Sequence, residues 1–543
     1  DSVSSGKAAA KASVALSQQF KQFNVNGEFS LSSLACSIMG NDINDFGASA
    51  SLDFSGSAAG DLDIRRMNGE LKAGGKVSGV LEVGGKIDSK EGKGNVKISA
   101  RDVKEDIFKL ALAPYLVEAR LESLTVNAEQ NLLLSEQFKN ISLNGTASAS
   151  NLKLVSKADG GDFIPPLDMR FRNNIQYAAP FVKIGEVSLI TAAAGKDEET
   201  ITLSGDFILD EKSAAPSTLY LKSEKITLDN FLPPAFFEKK EPPKKAARSS
   251  AAAPGRAGAR TPASAPEEPA PLNLNYLSLK AVVDIKNASF QQILFSDIKS
   301  DITMSESKLD IPNAEMKING GKTFSKFRMF FNVPLWKYEA ETNVSDLPMR
   351  PFVNTFAPEY KDKITGSISG GMNVSGEGIT MPNLEKKLAG KIKGDLKDGR
   401  FSGIQILDSL ANITGVKELS DITFFKGVLD ADIGAGKINI NDLSVQGTQQ
   451  KLGTKGFIGL DEKIDLSFKV AVSEQLGSKL KDIKYLGETA KDKDGYIELP
   501  SLVGMKGTIT DPKPTIKIDD AIKTGQKLLE GYLERREQKR NKK

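Results

Sequence analysis

Ile464-Asp465-Leu466-Ser467-Phe468-Lys469-Val470-Ala471-Val472 sets a large apolar residue at every even position and a polar or small one between. Side chains of a strand point alternately to its two faces, so the stretch predicts a strand with one oily face and one wet face. The run from Ile364 to Val374 repeats the pattern. Ile364, Ile368, Met372 and Val374 share one face, and Thr365, Ser367, Ser369 and Asn373 share the other. Shorter alternating runs recur down the chain, among them Leu52-Asp53-Phe54, Val96-Lys97-Ile98, Ile141-Ser142-Leu143 and Ile201-Thr202-Leu203. Many such strands in series make one long two-faced surface, which suits carrying or scaffolding better than catalysis.

Composition narrows the classes. With 543 residues the chain exceeds one compact core. It is 39% apolar and 26% charged, so most of it can fold. The 73 basic and 70 acidic residues leave a net charge of +3, which gives no field for nucleic acid. Histidine is absent, which removes the usual general base, metal ligand and pH switch together. One cysteine, Cys36, forms no internal disulfide and no metal spacing, and reads as a small buried hydrophobe. Carboxylates are scattered along strand faces and turns. No catalytic residue, metal ligand or cofactor is therefore expected.

Four regions separate. Residues 1–236 are strand-rich, with Asn26-Gly27, Asn68-Gly69, Gly74-Gly75, Gly84-Gly85 and Asn144-Gly145 read as turn signals. Helical stretches are expected at Lys7–Phe20 and Val103–Tyr115. Residues 237–271 are rich in Pro, Ala and Lys and almost free of large apolar side chains, which predicts a disordered linker or loop. Residues 272–519 resume strands, with helices expected at Leu384–Leu388 and Gly403–Thr414. Residues 520–543 carry Leu529, Tyr532 and Leu533 into a basic end, the pattern of an amphipathic helix. Asn319-Gly320-Gly321-Lys322-Thr323 ends like a phosphate-binding loop, but Met316 stands where that loop needs glycine, so a hairpin turn is expected.

No stretch reaches the ~18 apolar residues of a membrane-spanning helix, and the chain opens at Asp1 without a signal peptide, which suggests processing or truncation. A membrane barrel is disfavoured by the shortness of many runs, below the ~9 residues that spanning strands need, and by the lack of aromatic girdles.

Several ordered pieces resemble the C-terminal region of the AsmA-like proteins of Gram-negative envelopes. They are Ile364-Thr365-Gly366-Ser367-Ile368-Ser369-Gly370, Val374-Ser375-Gly376-Glu377-Gly378, Leu396-Lys397-Asp398-Gly399-Arg400-Phe401-Ser402-Gly403, Val445-Gln446-Gly447 and Gly507-Thr508-Ile509-Thr510-Asp511-Pro512. The resemblance is best over about residues 272–518. It implies a periplasmic body anchored in the inner membrane, with the anchor expected upstream of Asp1. It also implies kinship with bridge-like lipid transfer proteins, whose curled sheet forms a groove for acyl chains.

The expected fold is therefore mainly β: an elongated, curled antiparallel sheet forming a hydrophobic groove, with a few short helices and a C-terminal amphipathic helix. About 30 strands at ~4.8 Å each would span on the order of 140 Å. The expected partners are phospholipids, held or conducted between inner and outer membranes, with outer-membrane or other envelope proteins as further partners and no nucleic acid. The groove candidates are Ile364, Ile368, Met372, Val374, Ile464, Leu466, Phe468, Val470 and Val472. A non-enzymatic structural or assembly scaffold is the alternative, because a dry core and a groove give the same alternation.

Overall fold

The structure is a computed structural model. It describes residues 2–38, 41–112, 116, 119–157, 160–193, 196–209, 215–231, 268–414, 416–479, 491–499, 503–509 and 511–516. The chain divides into two compact units, residues 1–240 with 278–290, and residues 241–277 with 291–543. Both are mainly β.

The first unit is a ladder of β1 (Ser2–Ser17), β2 (Gln22–Ile38), β3 (Asn41–Ser57), β4 (Asp61–Ala73), β5 (Lys76–Asp88), β6 (Lys93–Lys104), β7 (Ala119–Ser135), β8 (Asn140–Ser156), β9 (Leu167–Ala178), β10 (Phe181–Ala193), β11 (Glu199–Ile208), β12 (Ser217–Ser223), β13 (Ile226–Thr227) and β14 (Leu279–Phe290). Helix α1 (Glu105–Leu112) lies between β6 and β7. Each strand up to β12 pairs antiparallel with the next. The sheet is open at β1, which pairs only with β2 among the described residues. Among the described residues the one change of sense is at β14, which runs parallel to β12 and β13. Parallel neighbours need a long crossover, and residues 228–278, which include the Pro/Ala-rich stretch, supply its length.

The second unit continues with β15 (Ile293–Ser305), β16 (Lys308–Ile318), β17 (Gly321–Phe330), β18 (Lys337–Pro348), α2 (Met349–Phe356), β19 (Ile364–Glu377), α3 (Met381–Lys387), β20 (Ala389–Ser402), α4 (Gln405–Thr414), β21 (Asp421–Gly434), β22 (Lys437–Gln446), β23 (Gln450–Gly459), β24 (Lys463–Ser473), α5 (Glu474–Lys479), β25 (Tyr496–Glu498), β26 (Val503–Thr508) and β27 (Pro512–Ile516). Its pairing is antiparallel throughout, with β24 bonded to both β25 and β26.

Several expectations meet the structure directly. Asn319-Gly320 is a two-residue hairpin turn between Ile318 and Gly321, with φ of +48° and +90°, the positive pair such a turn needs. The expected helices near 103–115, 384–388 and 403–414 are α1, α3 and α4. Lys7–Phe20 is not a helix. Despite its helix-favouring alanines it is the body of β1 and the following turn, because Ala8, Ala10 and Ala12 pair with Leu31, Phe29 and Gly27. Pairing along a whole edge overrides local propensity there.

Asn26-Gly27, Asn68-Gly69, Gly84-Gly85 and Asn144-Gly145 lie inside β2, β4, β5 and β8 instead of in turns; Gly74-Gly75 alone of that set makes a turn, with φ of +56° and +74°. Strands are accordingly longer than the alternating runs, up to 17 residues in β7 and β8. Strand length therefore does not exclude spanning strands. Helix α2, which follows β18 directly, is not among the helices expected from the sequence. The tail 520–543 and residues 237–267 lie outside the described residues. The described end of the expected linker, from Glu268, is bonded to the second unit: the Leu272 N–H donates to Phe331 O at 2.8 Å and Trp336 Nε1 to Ala270 O at 3.2 Å.

Candidate functional site

Cross-strand register decides which apolar residues share a surface. In the second unit one row runs Phe327, Ala340, Val374, Gly390, Ile433, Ile438, Ile458, Ile464 across β17 to β24. A parallel row runs Thr342, Met372, Ile392, Ala431, Ile440, Gly456, Leu466, Met505. The nine predicted residues thus lie on one face of one sheet, as their alternation implies.

What covers that face changes along it. Ile464, Leu466, Phe468, Val470 and Val472 on β24 are 0–4% exposed and belong to one closed core. Amphipathic α4 supplies Leu407, Leu410 and Ala411 to it, the one-turn helix Lys417–Ser420 adds Leu419, and α5 adds Leu476. Tyr496 closes the edge, its hydroxyl donating to Gly447 O. On β19, by contrast, Ile364 and Val374 are half-buried and Met372 is 37% exposed, while half-buried Ile368 packs against the closed core. Phe327 and Ala340 in the same row are also only half-buried. The predicted set therefore divides into a helix-covered part and an accessible part.

The first unit presents a longer uncovered face, from which no candidate was drawn. Val25, Phe54, Ile64, Gly85, Val96, Leu132, Leu143, Ile175 and Ile184 form one row across β2 to β10. All its side chains but Val96 are half-buried, and Met67, Ile98 and Phe171 in the adjoining rows are exposed. A monomer that folds in water rarely leaves so many large apolar residues contiguous and uncovered unless something binds there. The alternation at 52–54 and 96–98 carried this signal.

The opposite face is polar and largely self-neutralised. Across β17 and β18, Lys326 pairs with Glu341 and Arg328 with Glu339, both at 3.4 Å and half-exposed. A concavity of about 890 Å³ opens over these four residues, but paired, solvated charges leave little net field in it. Among the described residues no group of three or more candidate metal ligands comes together. No described helix is long and apolar enough to cross a membrane.

The most perturbed titration belongs to Glu268. Its carboxylate accepts from the Thr380 hydroxyl and the Asn383 amide and from the backbone N–H groups of Ile379 and Thr380, which lowers its pKa from 4.5 to about 2 against the opposing effect of burial. These donors lie at the start of α3. The arrangement anchors a strand of chain and presents no reactive atom, since every donor is spent on the carboxylate.

No curated protein matches the chain. The model of the AsmA family matches residues 117–448, more than half of the sequence. It therefore reaches further upstream than the resemblance near 272–518 and stops before β23. Family and open two-faced sheets together fit a bridge-like lipid transfer protein in general terms. The chain belongs to the AsmA family.

Proposed function

We propose that this protein holds or conducts phospholipid acyl chains along its uncovered apolar face, as a non-enzymatic lipid carrier of the Gram-negative envelope acting between inner and outer membranes. The observation that carries the reading is the half-exposed apolar row that crosses β2 to β10, together with its counterpart at β17 to β19. Acyl chains make no directional bonds, so a face recognises them by area alone. At ~25 cal/mol per Å² of apolar surface removed from water, a pair of lipid tails against such a face gains several kcal/mol. Alternation then supplies the outer, charged face that keeps the strands in water. In this reading the accessible candidates Met372 and Val374 touch lipid, with Ile364 on the same face, while Ile368 packs against the covered core. The β24 residues support the sheet from within the covered core.

Residence in the periplasm, with an inner-membrane anchor and envelope protein partners, belongs to the same proposal. Its support is the family. The test is native mass spectrometry with lipid extraction on protein purified gently from Gram-negative cells. Several phospholipids per chain, reduced in Met372→Asp, are expected. Folded protein free of lipid would favour a scaffold for protein partners instead.

A further inference from the structure

The apolar face of the first unit is interrupted in its middle strands, apart from the buried Thr191, Glu199 and Ser223 on β10 to β12. The row Leu52, Met67, Val83, Ile98 on β3 to β6 continues as Gln130 on β7, Gly145 on β8, Asn173 on β9 and Val187 on β10. Two carboxamides flank a glycine where the flanking positions on the same face are Ala128 and Leu132, Leu143 and Ala147, Phe171 and Ile175. Nothing in a dry core or a plain hydrocarbon groove calls for them.

Their hydrogen bonds are half made. Gln130 Nε2 donates to Thr146 O at 3.4 Å, and Asn173 Nδ2 donates to Leu143 O at 3.0 Å. Both acceptors belong to β8, so the two amides lean onto it from either side. A main-chain carbonyl can only accept, so the amide nitrogens must face it and the amide oxygens must point elsewhere. Gln130 Oε1 and Asn173 Oδ1 are both buried and have no partner among the described residues. Asn173 is only 6% exposed, whereas Phe171 on the same face of β9 is 36% exposed. Gly145 admits both the neighbouring strand and the Gln130 amide: a Cβ there would collide with the Glu129 carbonyl oxygen and stand 2.5 Å from Gln130 Oε1.

We infer that Gln130, Gly145 and Asn173 form an acceptor station in the apolar face, binding a neutral O–H or N–H group on or beside a lipid's acyl chain. The ligand must supply donors, because both free atoms are acceptors. It must be neutral, because the amides carry no charge to offset the desolvation of an ammonium amid apolar neighbours. A hydroxylated chain or an amide-linked chain satisfies the oxygens; a plain ester-linked chain passes and leaves them unpaired. The inference rests on the acyl-chain reading above and adds selectivity to it.

The experiment compares wild-type full chain with Gln130→Met/Asn173→Leu, near-isosteric and apolar, by displacement of a fluorescent fatty-acyl probe. The competitors are methyl octadecanoate, its 12-hydroxy and 12-methoxy derivatives, and N-methyl- and N,N-dimethyloctadecanamide. Wild type is expected to prefer the hydroxy over the methoxy ester, or the N-methyl over the N,N-dimethyl amide, about tenfold, the value of one buried hydrogen bond. Which arm shows the preference identifies the donor. The double variant should hold the plain ester at least as well and discriminate less than twofold, with an unchanged or higher melting temperature. If it does not fold, Gln130→Met alone, at a half-buried position, carries the same comparison. Wild type that binds the plain ester but shows neither preference overturns the station and leaves the groove standing. So does a preference that survives in the variant, which would mean that the discriminating group lies elsewhere on the protein. Failure to bind any of the chains overturns both.

Discussion

β19 and β24 carry the same alternation and face the same way on one sheet, yet β19 is accessible at Met372 and β24 is sealed along its length. The apolar side of β24 is covered by α4, the 417–420 turn and α5, and Val472 has no exposed surface at all. Five strands away, Met372 lies open on the same surface. Alternation therefore specifies which face is oily, and the amphipathic helices inserted between strands specify where that face is closed. One sheet accommodates both a conventional core and a surface free to take a ligand, and the core anchors the end of the sheet on which the open face depends.

Charge placed on either side of this division should break it most visibly. Phe468→Asp buries an unpaired carboxylate in the closed core and should cost several kcal/mol, seen as loss of the folded second unit in thermal denaturation. Met372→Asp, on the same face, should change stability by no more than about 1 kcal/mol, since its carboxylate reaches water. Equal losses would mean that β19 is core too.

Removing the cover is the next largest effect. Leu410→Ala deletes a fully buried side chain of α4 and should cost about 2–5 kcal/mol by chemical denaturation. Phe356→Ala, at an exposed position on α2, should cost under about 1 kcal/mol in the same assay.

The smallest effect is acid-dependent and concerns Glu268. Its folded-state pKa lies below its unfolded value, so the stabilisation is full above about 4.5 and is lost as pH falls toward about 2. The carboxylate is solvent-accessible, so the change should be modest. Glu268→Gln should flatten the stability–pH profile across that interval only, and a parallel offset at neutral and acid pH would contradict the sign.

Much of this was legible in the residues. The β24 stripe, the Asn319-Gly320 hairpin and helix α4 follow from local pattern, because each is set by neighbours within a few positions. The first strand was not, because Ala8, Ala10 and Ala12 favour helix locally and become strand only through pairing with β2. The glycines of β5 and β8 were misread as turns for a related reason: on a crowded face a missing side chain makes room for a partner strand or an overlying amide, as Gly145 does for Gln130. Coverage was the least legible. Met372 and Phe468 have the same sequence environment and differ only in which helices return to cover them. The row Gln130, Gly145, Asn173 joins residues 15 and 28 positions apart, and no local window contains it.

Equally exposed positions on opposite faces separate a lipid-binding surface from ordinary solvent exposure. Ile98 and Leu133 are each 39% exposed, but Ile98 is on the apolar face and Leu133 on the polar one. Met372 and Val428, at 37% and 43%, form the same contrast in the second unit. A photo-crosslinking amino acid placed singly at these four positions in cells should give lipid adducts from 98 and 372 and none from 133 and 428. Equal lipid labelling on both faces, or protein adducts alone from 98 and 372, would contradict the account.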